Sequence, residues 1–172
     1  MTDADPNDPY ARLSYRRLIS WPARIQREAP FLRDVLSGAP SQRLLALGCG
    51  TGEHARFLSE EGFEVTGVDA SEAQLVEARE AGPGPEFVKG DLAELGAAVT
   101  GPFGGAISLG NGLPHLHAPE MSRFLGHLAA LLLPGAPVLF QLLNYDRILD
   151  QGVTSLPLHV RDDGGERVVF LR

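Results

Sequence analysis

The chain has 172 residues, 44% of them apolar, which suits one buried core and a single domain. Its 22 acidic residues against 15 basic ones leave a formal charge of -7, which argues against a nucleic-acid partner, because affinity for a phosphate backbone rests on clustered cations. A lone cysteine, Cys49, excludes an internal disulfide.

Residues 1–17 open on the polar, proline-bearing "MTDADPNDPY", which lacks the cationic start and apolar centre of a secretion signal. They predict a mobile tail or lid on a cytoplasmic protein. Arg12, Arg16, Arg17, Arg24, Arg27 and Arg33 are interrupted by glutamates and apolar residues, so they read as a solvated helix face. A helix is expected over about 18–36, broken at Pro30. "RLLAL" (43–47) reads as a short buried strand and "FEVTGVD" (63–69) as a second, with Gly62 ending the helix between them. Ser71 caps a further helix, whose stripe is Leu75, Val76 and Ala78 and whose stop is Gly82.

Third, fourth and fifth strands are expected at 85–91, 103–112 and 136–146. Between the last two, Pro119 opens a helix with Met121, Phe124, Leu125, Leu128 and Leu132 at helical spacing, closed by Gly135. The longest apolar stretch, "LAALLLPGAPVLFQLL", is cut by Pro134, Gly135 and Pro137, too short on either side for a membrane span. This order predicts an α/β fold of Rossmann-like type, an open, mostly parallel sheet with helices on both faces, in one domain over 18–172. A hairpin turning on "DDGG" is expected over about 154–172. The apolar "VVFLR" at its end predicts a chain that continues further, or a homodimer formed through that edge.

In such a sheet the ligand crevice lies at the carboxyl ends of the strands, and the first strand-to-helix turn is its floor. Gly48, Gly50 and Gly52 fall on that turn, where three missing side chains let a ligand lie against backbone amides. A dinucleotide fingerprint would place its third glycine where Glu53 stands, and a P-loop needs a lysine, whereas the only one here is Lys89. The spacing therefore suits a nucleoside ligand without phosphates. Asp69, ending the second strand, is placed to accept both hydroxyl protons of a ribose, since Ser71 already serves as the helix cap. Asp91 could accept from an adenine amino group, with Leu92 packing on the ring.

These residues resemble a class I S-adenosylmethionine-dependent methyltransferase. "LLALGCGTGEHARFL" is similar to the family's first motif, "GVDAS" to its second-strand acidic motif, "GDL" to its adenine motif and "SLGNGLPHL" to its fourth-strand motif. "GNGLPHL" together with "LLNYDRIL" resembles the glycine and sarcosine N-methyltransferase subgroup, over about 21–149. The resemblance implies S-adenosylmethionine as cofactor and a small-molecule acceptor, with an amine preferred. Its methionine part would lie against Gly48, Cys49 and Gly50, its carboxylate on Arg24, its ribose by Asp69 and Ala70, its adenine by Asp91 and Leu92, and its sulfonium near Leu109. Asn111 and His115 match acceptor-side positions, and Tyr10 or Tyr15 would belong to a lid.

One departure bears on the acceptor. In the glycine enzymes an arginine before "NYD" clamps the acceptor's carboxylate; Leu143 stands here. Losing that charge-assisted pair costs on the order of several kcal/mol, so glycine is disfavoured against a less polar amine or another nucleophile. Methyl transfer mainly requires orienting and desolvating the partners, with His115, or in reserve His117, as proton acceptor. Cys49 lacks a neighbouring base for a nucleophile's role, and no metal-ligand spacing is present. The competing reading is a module that binds the cofactor and serves regulation or interaction.

Overall fold

The computed structural model describes Arg16, residues 19–153, and the backbone of 159–163 and 166–170. Tyr10 and Tyr15, most of the expected tail and the hairpin's side chains lie outside the described residues.

Five parallel strands form one sheet: β1 (Arg43–Leu47), β2 (Glu64–Asp69), β3 (Glu86–Lys89), β4 (Gly105–Ser108) and β5 (Val138–Phe140), in the order β3-β2-β1-β4-β5. The helices are α1 (Trp21–Leu36), α2 (Glu53–Glu60), α3 (Glu72–Glu80), the short α4 (Leu95–Ala98), α5 (Ala118–Leu131) and α6 (Tyr145–Asp150). β6 (His159–Asp163) and β7 (Glu166–Phe170) pair antiparallel with one another. Among the described residues no helix is long and apolar enough to cross a membrane.

β1 is buried on both faces, and its alternation divides the core in two. Leu44 and Ala46 pack with Leu32 and Leu36 of α1, Leu58 of α2 and Leu75 of α3. Leu45 and Leu47 face the other way, onto Phe103 and onto Phe124 and Leu128 of α5. Burying a leucine of this kind contributes roughly 1.5–3 kcal/mol, so both helical layers are held against the sheet. β1 pairs β2 on one side and β4 on the other. The chain's winding reverses at that point, which opens the crevice beyond the ends of β1 and β4.

Several expected boundaries are corrected. α1 starts at Trp21, with Pro22 in its first turn, and runs through Pro30 without a break. Pro30 lies on the exposed face, while Ala29, Leu32 and Leu36 anchor the buried face. The fourth strand ends at Ser108, because Gly110 and Asn111 adopt positive φ (91° and 70°) and turn the chain away from the sheet. The fifth ends at Phe140. "LLNYD" is no strand: Asn144 caps α6 by accepting from the Arg147 amide. α5 stops at Leu131, so Leu132 lies beyond it, and Leu125 is 44% exposed rather than in the stripe. Gly135 serves the turn into β5 at φ 80°.

Candidate active site

A cleft of about 500 Å³ opens at the carboxyl ends of β1, β2 and β4, within the usual range for small-molecule sites. Its floor is the turn from β1 to α2. Gly48 and Gly50 hold φ of 61° and 56°, and both line the cleft beside Cys49 and Thr51. An added Cβ at Gly48 meets nothing closer than 4.0 Å and one at Gly50 nothing closer than 3.5 Å, so this part of the main chain faces open space.

Gly52 has a different task. It does not line the cleft; an added Cβ would stand 2.5 Å from the Phe87 ring of β3 and 3.2 Å from Ala78. The third glycine thus brings α2 close against its neighbours. Glu53 turns away from the floor, accepting from the Thr51 hydroxyl at 2.5 Å and pairing with Arg16 at 2.8 Å.

Asp69 and Ala70 form the next wall. Asp69 Oδ2 accepts from the Gly50 amide at 2.7 Å, and Oδ1 accepts from the Ser71 amide at 2.9 Å. Ser71 is indeed the cap of α3, its hydroxyl accepting from the Gln74 amide at 3.3 Å. Asp91 and Leu92 also line the cleft, and Asp91 Oδ1 accepts from the Ala93 amide at 2.8 Å. Burial, with the nearby Asp69 carboxylate, pushes the Cys49 thiol well above its ordinary range. That thiol is a small packing group, not a nucleophile.

The opposite wall comes from the loops after β4 and β5. Leu109, Asn111 and His115 line it, together with Glu120, which accepts from the His117 amide at 2.8 Å. His117 caps α5 and does not line the cleft. Asn111 stitches the two loops: its Oδ1 accepts from the Leu143 amide at 3.0 Å and its Nδ2 donates to the Tyr145 hydroxyl at 2.6 Å. Gln141 Oε1 accepts from the Gly110 amide at 2.8 Å and from Arg24 Nη2 at 3.4 Å. Leu143 itself is half-buried behind this wall and does not line the cleft.

Arg24 reaches the cleft from α1 in company that sequence reasoning missed. Its Nε donates to both oxygens of Glu28, at 3.0 and 3.2 Å, and its guanidinium lies 5.1 Å from the Trp21 ring centre. Glu28 Oε2 also meets His54 Nε2 at 2.7 Å, and the His54 ring stands edge-on to Trp21 with centres 5.3 Å apart. The His54 contact, helped by Arg24, holds the Glu28 carboxyl below its usual range despite partial burial. The available signal was the spacing Trp21, Arg24, Glu28, which puts three residues on one helical face. Among the described residues no group of His, Cys, Asp and Glu is arranged to hold a metal ion.

The features that fit an adenosyl ligand are an open glycine floor, two acidic strand ends and apolar side chains at Leu92 and Leu109. The Trp21 indole N–H adds a donor shielded from solvent with no acceptor among the described residues.

Comparison with known proteins agrees with this geometry. A family described as "Methyltransferase domain" matches residues 44–135. The chain is 33% identical over 143 residues to a glycine/sarcosine N-methyltransferase of Aphanothece halophytica, covering 80% of this chain and 54% of that protein. It is 33% identical over 129 residues to the glycine N-methyltransferase of Homo sapiens, covering 64% and 44% respectively. An amino pentose methyltransferase of Micromonospora echinaspora, solved with S-adenosylmethionine bound, superposes with a TM-score of 0.60 at 26% identity, over 72% of this chain and 51% of that one. The chain thus spans about half the length of the relatives it matches.

Proposed function

This chain belongs to the class I S-adenosylmethionine-dependent methyltransferases, and from that premise we propose that it transfers a methyl group to a small amine that carries no carboxylate. The observation that carries the reading is the cleft floor, where bare main chain at Gly48 and Gly50 is tied to the strand-ending Asp69 at 2.7 Å. When bound, the cofactor supplies an electrophilic methyl group on a sulfonium. The chain's own residues have the tasks of holding, orienting and drying the reactants.

Asp69, an acceptor-only carboxylate on the cleft wall, accepts from ribose hydroxyls. Asp91 accepts from the adenine amino group, Leu92 and Leu109 pack on the ligand's apolar surfaces, and Arg24 takes the amino-acid carboxylate. On the acceptor side Asn111 fixes the wall, and His115 accepts the proton that the attacking amine sheds. The acceptor class follows from charge. Between Leu109 and Glu120, and from Gln141 to Asp146, there is no lysine or arginine to clamp a carboxylate. Glu120 in the cleft favours a cation.

The relatives support an amine, since one is a glycine/sarcosine N-methyltransferase and another an amino pentose methyltransferase. Labelled cofactor incubated with amino sugars, simple amines, phenols and amino acids is expected to label the amines most. Tight cofactor binding with no labelled product from any class would favour the alternative, a module that binds the cofactor without turnover.

A further inference from the structure

The cluster of Trp21, Arg24, Glu28 and His54 contains more than a carboxylate site requires. Glu28 is ionised, its carboxyl held below its usual range by His54 and Arg24. An ionised carboxylate only accepts, so the His54 nitrogen facing it at 2.7 Å, Nε2, carries a proton. With the proton on Nε2, Nδ1 of the imidazole is the lone-pair acceptor. His54 lines the cleft, and Nδ1 has no partner among the described residues. Trp21 holds both cationic and imidazole groups in place, with Arg24 over its face and His54 at its edge. Glu53, the other acid nearby, is occupied by Thr51 and Arg16.

Resting on the reading of this cleft as the cofactor site, we propose that His54 Nδ1 accepts a hydrogen bond from the α-ammonium of the cofactor's amino-acid end, while Arg24 takes its carboxylate. Arg24 and Glu28 together are neutral, and so is a zwitterion. A guanidinium and an imidazole backed by a carboxylate, side by side, present the two charges of an amino acid with their complements. Glu28 is the positioning residue for both, since it fixes Arg24 through Nε and leaves both Nη groups directed elsewhere.

Three ligands that share the adenosyl thioether separate the parts: S-adenosylhomocysteine, its decarboxylated form bearing only the amine, and methylthioadenosine bearing neither charge. Each is titrated by calorimetry into the wild-type chain, His54→Phe and Arg24→Gln. Phenylalanine keeps the edge-on contact with Trp21 and removes the acceptor. His54→Phe is expected to weaken the first two ligands about tenfold, the loss of one charge-assisted bond, and to leave methylthioadenosine within twofold. Arg24→Gln is expected to weaken S-adenosylhomocysteine alone. Equal weakening of all three ligands by His54→Phe, or an unchanged affinity for the amine-only ligand, overturns the assignment. If His54→Phe does not fold, Glu28→Gln supplies the same comparison between the amine-only ligand and methylthioadenosine. A wild-type chain that binds none of the three overturns the cofactor reading as well, whereas binding without the cross pattern overturns the ammonium assignment alone.

Discussion

Asp69 and Gly50 are joined by a 2.7 Å hydrogen bond from the Gly50 amide to Oδ2, so the acid that ends β2 also holds the floor laid down after β1. Its second oxygen takes the Ser71 amide. One carboxylate therefore fixes two turns and faces the cleft between them. Asp69→Ala is expected to weaken S-adenosylhomocysteine by roughly 1–3 kcal/mol, the cost of leaving ribose hydroxyls and loop amides without their acceptor. Asp69→Asn should not rescue it, because an amide nitrogen would meet the N–H of Gly50 or Ser71 as donor against donor. Calorimetry decides, and an unaltered affinity in both variants would assign Asp69 to the loop alone.

Gly50 and Gly52 share a loop and a positive φ but predict opposite failures. Gly52→Ala forces a Cβ to 2.5 Å from the Phe87 ring at φ 82°. Overpacking and the left-handed backbone together are expected to cost about 2–4 kcal/mol of stability, with cofactor affinity per folded molecule little changed. Gly50→Ala meets only Gln74 Oε1 at 3.5 Å but sets a methyl group on the cleft side of the floor. It is expected to lose about 1–2 kcal/mol of stability from the backbone alone and most of its cofactor affinity. Thermal melts with and without S-adenosylhomocysteine distinguish the two; equal ligand-induced shifts in both variants would refute the division.

The sheet was readable because β1 carries an uninterrupted apolar run and β2 reads as a partly alternating strand, patterns that strand burial imposes directly. The positions of the glycine turn after β1, of Asp69 at the end of β2 and of Ser71 as a helix cap were readable because each follows from its neighbours along the chain, whereas the Asp69–Gly50 bond and the Gly52–Phe87 approach are nonlocal. The fourth and fifth strands were read too long because "SLGNG" and "QLLNYD" are apolar enough for strands, while what ends them is nonlocal. Asn111 and Gln141 bond across the two loops and hold both out of the sheet. The Glu28–His54 contact joins residues 26 positions apart, and no local pattern announces it. Pro30 misled because a proline's cost in a helix depends on whether the abandoned carbonyl is exposed, a tertiary fact.

Glu28 makes acid stability testable. Its carboxyl is lowered in the folded chain, first by the His54 hydrogen bond and then by Arg24. A lowered acid contributes stability that is present above its unfolded value of about 4.5 and is lost as pH falls through the folded value. Melting temperatures of the wild type are therefore expected to exceed those of Glu28→Gln at neutral pH and to converge with them on acidification below about 4.5. Parallel melting curves for the two chains across that window would show that Glu28 is not the group whose charge is linked to folding.

Leu143 gives the sharpest test of the acceptor class. Its backbone amide is already committed to Asn111 Oδ1 at 3.0 Å, so the wall depends on its main chain and not on its side chain. The side chain is half-buried and does not line the cleft, so a longer group here has to reach past Asn111 and Tyr145 to meet an acceptor. Leu143→Arg would place a cation where the resemblance to the glycine enzymes implies one. A bidentate pair with a carboxylate is worth on the order of several kcal/mol when desolvated, and an exposed one far less. The variant is therefore expected to raise methyl transfer to glycine or sarcosine by about tenfold or more, and to lower it for amines without a carboxylate, which would now meet a like charge. Labelled transfer to matched pairs of amine and amino acid measures the ratio. A ratio identical to that of the wild-type chain would mean that the residue before "NYD" does not choose the acceptor here, and the case for a carboxylate-free amine would rest on Glu120 alone.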